Sequence, residues 1–171
     1  MLLPTEKILY GEQEIAAKLA HVKPYVFLSG VTYLNFDKRK IRGFYDVNEK
    51  QFEGHIGDIQ IMPKGLKEEA IAQLGAFYLR IQEKYADYIP IFSNESRSKE
   101  GEIIFPGERL DIELQIIKFD GKRSGRARGK AFIGGKLAHR YIFDFTIIKK
   151  TAFYRLVEKI KKSRKGGLVS V

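Results

Sequence analysis

Residues Phe52–Gln73 read FEGHIGDIQIMPKGLKEEAIAQ, and this stretch decides how the rest of the chain is read. It opens as a loop, with His55 between Gly54 and Ile56, and it closes as a helix. Met62-Pro63 suits a helix entrance, because proline fixes the φ that the first turn needs and gives up an N–H that has no partner there. From Leu66 onward the residues are good helix formers. Leu66, Ala70, Leu74, Phe77 and Ile81 recur at helical spacing, and Ile71 and Tyr78 widen the stripe, so the helix is expected to run from Gly65 to Ala86 and to be largely buried. A histidine ahead of the helix and a glutamate, Glu69, inside its first turns could form an acid/base pair.

Working outward, the preceding residues divide into a short helix over residues 12–20 and a hairpin. Ile15 and Leu19 lie one turn apart on the inner face of that helix. His21-Val22-Lys23-Pro24 breaks it, since the residue before a proline is pushed out of helical conformation. Tyr25–Phe36 and Ile41–Val47 are rich in β-branched and aromatic residues and read as two strands joined by the polar turn Asp37–Lys40. After the long helix the period changes. Tyr88–Asn94 reads as a strand with Pro90 near its start, and Ser96–Gly101 and Phe105–Glu108 read as turns. Leu110, Ile112, Leu114 and Ile116 alternate with polar residues, then Ser124–Ile133 and Lys136–Ile148 complete a meander through Gly134-Gly135. A lone long helix must bury its faces, and a curved antiparallel sheet wrapped around it does this with one layer. The expected class is α+β.

The totals set outer limits. At 171 residues the chain is expected to form one domain with a sizeable core. It has no cysteine, which excludes disulfides, thiol nucleophiles and cysteine zinc sites. No apolar run reaches membrane-spanning length and the N-terminus lacks the pattern of a signal peptide, so a soluble, cytoplasmic protein is expected. The net charge is +10. Between residues 149 and 165 eight basic residues face one acid, Glu158, so this segment alone carries +7. Thr151–Arg164 reads as a helix docked through Phe153, Leu156, Val157 and Ile160, with a basic opposite face. The chain is thus expected to divide into a folded domain over residues 1–150 and a basic amphipathic helix and tail over 151–171.

The motif in the opening stretch resembles the β-hydroxyacyl-acyl-carrier-protein dehydratases of the hot-dog fold. Gly54-His55, Met62-Pro63, Glu69-Ala70 and Ala72-Gln73 match that family's signature without a gap. His21–Tyr25 and Phe105–Leu110 resemble its early His/Pro segment and its Pro-Gly turn, so the resemblance covers residues 12–148. It implies a dehydratase of 3-hydroxyacyl thioesters carried on the phosphopantetheine of acyl carrier protein, in fatty acid or related acyl-chain biosynthesis. It also implies a homodimer, or an assembly of dimers, in which His55 of one subunit acts as base and Glu69 of the other as acid. Glu69 must then hold a proton at working pH, which desolvation in an apolar tunnel favours. Backbone N–H groups around Lys64 and Gly65 are expected to stabilise the thioester oxyanion, helped by the helix dipole. Gln73, one turn beyond Glu69, is expected to hold its carboxyl.

Two departures keep other readings open. Ile56-Gly57-Asp58 stands where the family has Phe-Pro-Gly, and Lys64 stands where it has glycine after Met-Pro. A hot-dog acyl thioesterase and a non-catalytic acyl or carrier-protein binding module are the alternatives. No cofactor and no metal are expected, since three scattered histidines make no ligand set. His21 reads as a packing or turn residue, His139 as a structural strand residue, and Lys67 and Glu68 as solvated helix positions. The basic helix has three readings: a solvated face, a dock for acyl carrier protein through Lys159, Lys161, Lys162 and Lys165, or a weak membrane-surface contact. Nucleic acid is not expected as a partner, because no recognition motif accompanies the charge.

Overall fold

The computed structural model describes residues 7–49 and 59–166, with Glu95, Ser96, Lys165 and Gly166 described by their backbone alone. The long helix, α2, spans Lys64–Arg80, with Pro63 as its N-cap in extended conformation (φ −60°, ψ 149°). It is buried over a wide arc. Ala70, Ile71, Leu74 and Phe77 are fully buried, and Gln73, Tyr78 and Leu79 almost so. The helix stops six residues before the expected end at Ala86. Gln82 is extended, and a 3-10 turn over Glu83–Tyr85 follows. That break turns Tyr85 inward, where its ring meets Tyr88 and Phe119 and its hydroxyl donates to the Gly121 carbonyl at 3.2 Å.

The sheet that wraps α2 holds β1 (Tyr10–Gly11), β2 (Gly30–Asn35), β3 (Lys40–Asp46), β4 (Tyr88–Glu100), β5 (Arg109–Phe119), β6 (Ser124–Ile133) and β7 (Lys136–Lys149). Their order is β1-β2-β3-β5-β6-β7-β4, every neighbouring pair antiparallel. The short helix α1 (Glu12–Lys18) lies between β1 and β2. Alternation sets the inner face of β5, where Leu110, Ile112, Leu114 and Ile116 are buried and the intervening residues mostly exposed. The helix comes close to the sheet at Gly129 on β6, where a Cβ would collide with Ile71. This is the helix-in-sheet architecture of the hot-dog fold.

Two expected boundaries move for physical reasons. The polar segment Ser96–Gly101 is not a turn: β4 continues through it to Glu100, pairing Arg97 with Ile142 and Glu100 with His139. An edge strand has one unpaired side, so polar residues are tolerated there, and register shifts at Phe92/Asn94 and Glu95/Arg97 bend it. At the other end, Tyr25–Ser29 lie outside β2, and part of their backbone bonds to a side chain of α2 instead.

The C-terminal helix, α3, spans Lys150–Gly166 and is tied to the start of β4 by the Lys150 N–H, which donates to the Asp87 carbonyl at 2.9 Å. Its apolar stripe is only partly docked. Phe153 and Val157 are half-buried, whereas Leu156 is 48 % and Ile160 43 % exposed. The expectation that all four residues pack on the body is corrected to its inner two.

Candidate active site

Glu69 sits in the second turn of α2 and Gln73 one turn beyond it on the same face. Both N–H groups and the carbonyl oxygen of the Gln73 amide are engaged. Its Nε2 donates to Glu69 Oε1 at 2.8 Å and to the Tyr25 carbonyl at 2.7 Å, and its Oε1 accepts from the Phe27 N–H at 2.8 Å. With Gln73 only 1 % exposed, these three bonds fix its rotamer and its amide orientation together. The segment before β2 is thus sewn to α2 beside Glu69. It delivers His21 to the same place: His21 Nε2 lies 3.3 Å from Glu69 Oε1. Both contacts fall on one oxygen of the carboxyl. Reading His21 as a packing or turn residue missed this placement. The signal available was its position in the His21–Tyr25 segment, three residues from a proline that sets the entry into the sheet.

Beside the carboxyl opens a cavity of about 480 Å³. Ala72, Gly75 and Ala76 line it from α2, and these small side chains make the room. Ile89, Ile91 and Phe92 come from β4, and Phe143 and Phe145 from β7. The chamber is therefore apolar with a polar corner formed by His21, Glu69 and Gln73. In the single chain the Glu69 side chain is 38 % exposed, not enclosed as the tunnel expectation had it, and the chamber borders the free edge of the sheet.

The entrance of α2 precedes Glu69 by five residues, Lys64 being the first of the helix. Pro63 caps the helix, and its carbonyl accepts from the N–H groups of Leu66 and Lys67 at 3.1 and 3.3 Å. Lys64 and Gly65 occupy the first two helical positions. Open space adjoins Gly65. The Lys64 ammonium points back along the helix to Glu68, 3.4 Å away. His55 and the segment Ile56-Gly57-Asp58 lie outside the described residues.

A second polar cluster lies on a different face of the same turns. Lys67 and Glu68, expected to be solvated, are 4 % exposed and 17 % exposed at the side chain, respectively. Glu68 Oε1 lies 3.3 Å from Nε2 of the fully buried His139 and accepts from the Ser98 hydroxyl at 2.9 Å. Lys67 pairs with Glu100 at 3.0 Å, and Glu100 approaches His139 Nδ1 at 3.8 Å. Burial pushes the His139 imidazole below the usual histidine range. The nearby Glu68 carboxylate opposes this, and Lys67 adds to it. The strand position of His139 holds, but its partners come from the helix and from β4. The misreading of Lys67 and Glu68 has a physical cause: β4 runs on past the expected turn and covers them.

Comparison with known proteins places these features in a family. The FabA-like domain model matches residues 21–141. A 3-hydroxyacyl-[acyl-carrier-protein] dehydratase FabZ of Clostridium kluyveri is 34 % identical over 131 residues, covering 75 % of this chain and 90 % of the relative. The FabZ of Bacillus licheniformis is 31 % identical over 140 residues, covering 81 % and 96 %. Among solved structures, the dehydratase heterocomplex ApeI:P of Xenorhabdus doucetiae superposes with a TM-score of 0.70 at 18 % identity, covering 84 % of this chain and 96 % of that one. A thioesterase superfamily member from Thermus thermophilus gives 0.61 at 17 % identity, covering 74 % and 93 %. These two structural likenesses speak to the fold alone.

Proposed function

The chain belongs to the FabA-like family, and on that premise we propose that it removes water from 3-hydroxyacyl thioesters carried by acyl carrier protein, giving trans-2-enoyl thioesters for acyl-chain biosynthesis. The observation that carries this reading is the Glu69 carboxyl, held by Gln73 at the polar corner of an apolar chamber. The substrate's acyl chain occupies the chamber and its C2–C3 bond lies at the corner. His55 takes the proton from C2 as general base. The electrons form the C2–C3 double bond while Glu69 delivers its proton to the departing C3 hydroxyl, which leaves as water. Charge that develops on the thioester oxygen is met by backbone N–H groups of Lys64 and Gly65 at the positive end of α2. Gln73 keeps the Glu69 carboxyl aimed, and His21 braces the same oxygen.

The second subunit enters through the sheet edge. β4 offers a long strand with one unpaired side, and Phe92 on it is 47 % exposed. Such an edge is a template for pairing with another chain. Pairing across β4 would make a homodimer, close the chamber, exclude water around Glu69 and bring the partner's loop to it. The body over residues 1–150 then carries the chemistry, and 151–171 adds the basic helix. Lys159, Lys161, Lys162 and Lys165 on that helix give an acidic carrier protein a basic surface to meet, which raises its encounter rate. No helix among the described residues is long and apolar enough to cross a membrane, and a cytoplasmic protein is our reading.

The test is direct. Purified protein given 3-hydroxyacyl carrier protein should form the 2-enoyl thioester, and His55→Ala and Glu69→Gln should each abolish nearly all turnover. Turnover that survives in His55→Ala would contradict the assignment. Release of free thiol from acyl thioesters without enoyl product would point to a thioesterase instead.

A further inference from the structure

The chamber has a direction. The N-terminal half of α2 lies against the far end of β4, since Glu68 bonds Ser98. The C-terminal half leads through the turn at Glu83–Tyr85 into the beginning of β4, where Tyr88 pairs with Lys149 and α3 follows at once. Glu69 and Leu79 both line the chamber, and ten helical residues separate them by about 15 Å. At the Leu79 end the lining is completed by Phe153 and Tyr154 from the first turn of α3. The Lys150 N–H donates to the Asp87 carbonyl at 2.9 Å, which sets the first turn of α3 beside the start of β4, at the end opposite Glu69. The matched family domain ends at Tyr141, so this part of the lining comes from outside it.

We infer that the first turn of α3, through Phe153 and Tyr154, is the end wall of the acyl chamber and sets the longest chain this protein accepts. This rests on the acyl-thioester reading of the chamber. A chain bound with its reacting carbons at Glu69 runs along Ala72, Gly75 and Ala76 and meets the two rings. The wall is made of rotatable aromatic side chains on a helix tied by a backbone bond at its start and by half-buried contacts of Phe153 and Val157. Its depth is thus tunable by substitution without touching α2 or the sheet. Tyr154, 54 % exposed, adds a polar rim to the wall.

The experiment compares kcat/KM of the full-length protein across a series from 3-hydroxybutyryl to 3-hydroxypalmitoyl thioesters. The wild type, Phe153→Ala/Tyr154→Ala and Phe153→Trp are compared, with Leu156→Ser as a control on the outer face of α3. Removing the two rings should move the optimum to longer chains, with a gain of about tenfold or more for chains just beyond the wild-type limit relative to short ones. Phe153→Trp should move it the other way, and Leu156→Ser should not move it. A parallel rise or fall of the whole series in the double variant, with α3 still helical by hydrogen exchange, would overturn the wall. In parallel, the binding of unreactive saturated acyl thioethers of the same lengths is measured. If the wild type dehydrates none of the series but its thioether binding shifts with the double variant, the dehydratase reading fails and the wall stands. If thioether binding shows no dependence on chain length, the wall fails whatever the activity.

Discussion

Glu68 and Glu69 are neighbours in sequence and occupy different worlds in the fold. Glu69 faces a chamber, keeps part of its surface in solvent and is held on one oxygen by Gln73 and His21. Glu68 faces β4 and β7, is largely covered, and accepts from Ser98 next to the buried His139. One carboxyl is positioned at the edge of the chamber and open to it. The other is spent on holding the helix entrance, with Lys64 and Ser98 around it and Lys67 paired to Glu100 alongside. A helix buried on several sides separates roles by about 100° per residue, so identity of residue type says little about function here.

The comparison breaks most readily at the two carboxyls themselves. Glu69→Gln should lower turnover by about 10²- to 10⁴-fold, the range expected for a lost general acid, while its melting temperature stays near that of the wild type. Glu68→Gln should do the opposite, leaving turnover near wild type and lowering the melting temperature. Steady-state enoyl formation and thermal unfolding on the same preparations check both. Gln73→Leu should affect both properties, because the Phe27 N–H and the Tyr25 carbonyl lose their partner along with Glu69. Each buried group left unpaired costs about 1–3 kcal/mol, readable by urea denaturation.

A subtler contrast lies in pH. His139 is held neutral by burial, so its folded-state affinity for protons is below that of the unfolded chain. The unfolded state then binds more protons as pH falls below about 6.5, and stability is fully present above that pH and declines beneath it. Glu68 and Glu100 soften the decline and Lys67 steepens it. Denaturation midpoints across mildly acidic pH should fall less in His139→Gln than in the wild type, measured against each protein's own value near neutrality. The smallest expected effect is that of His21→Asn. It should lower turnover by a few-fold through looser aim of Glu69, with thermal stability unchanged, since the His21 side chain is 43 % exposed.

Much of this was legible in the sequence. The 3.6-residue stripe from Leu66 to Ile81 and the alternation from Leu110 to Ile116 are properties of local order, and they place the start of α2 within a residue and the inner face of β5, while α2 ends six residues before the expected Ala86. The spacing of Glu69 and Gln73 is a one-turn relation, and their hydrogen bond is what that spacing allows. What local pattern could not carry was long-range cover. Lys67 and Glu68 look like a solvated charge pair because nothing nearby in sequence announces that Ser98, Glu100 and His139 arrive from β4 and β7. Ser96–Gly101 looks like a turn because its residues are polar, and only its place on the sheet edge makes it strand. His21 is likewise placed by Gln73, 52 residues downstream, which holds the backbone of Tyr25 and Phe27. The apolar stripe of α3 was visible, but its partial docking depends on where β7 releases the chain.

The most direct test of the account is whether base and acid come from different subunits. His55→Ala and Glu69→Gln variants, each inactive alone, are mixed, unfolded together and refolded, and hybrid dimers are counted by native mass spectrometry with a tag on one variant. The account predicts that enoyl-forming activity returns in proportion to the hybrid population, because each hybrid holds one intact site with His55 from one chain and Glu69 from the other. Abundant hybrids with no recovered activity would contradict it, and would place both groups of each site in a single chain.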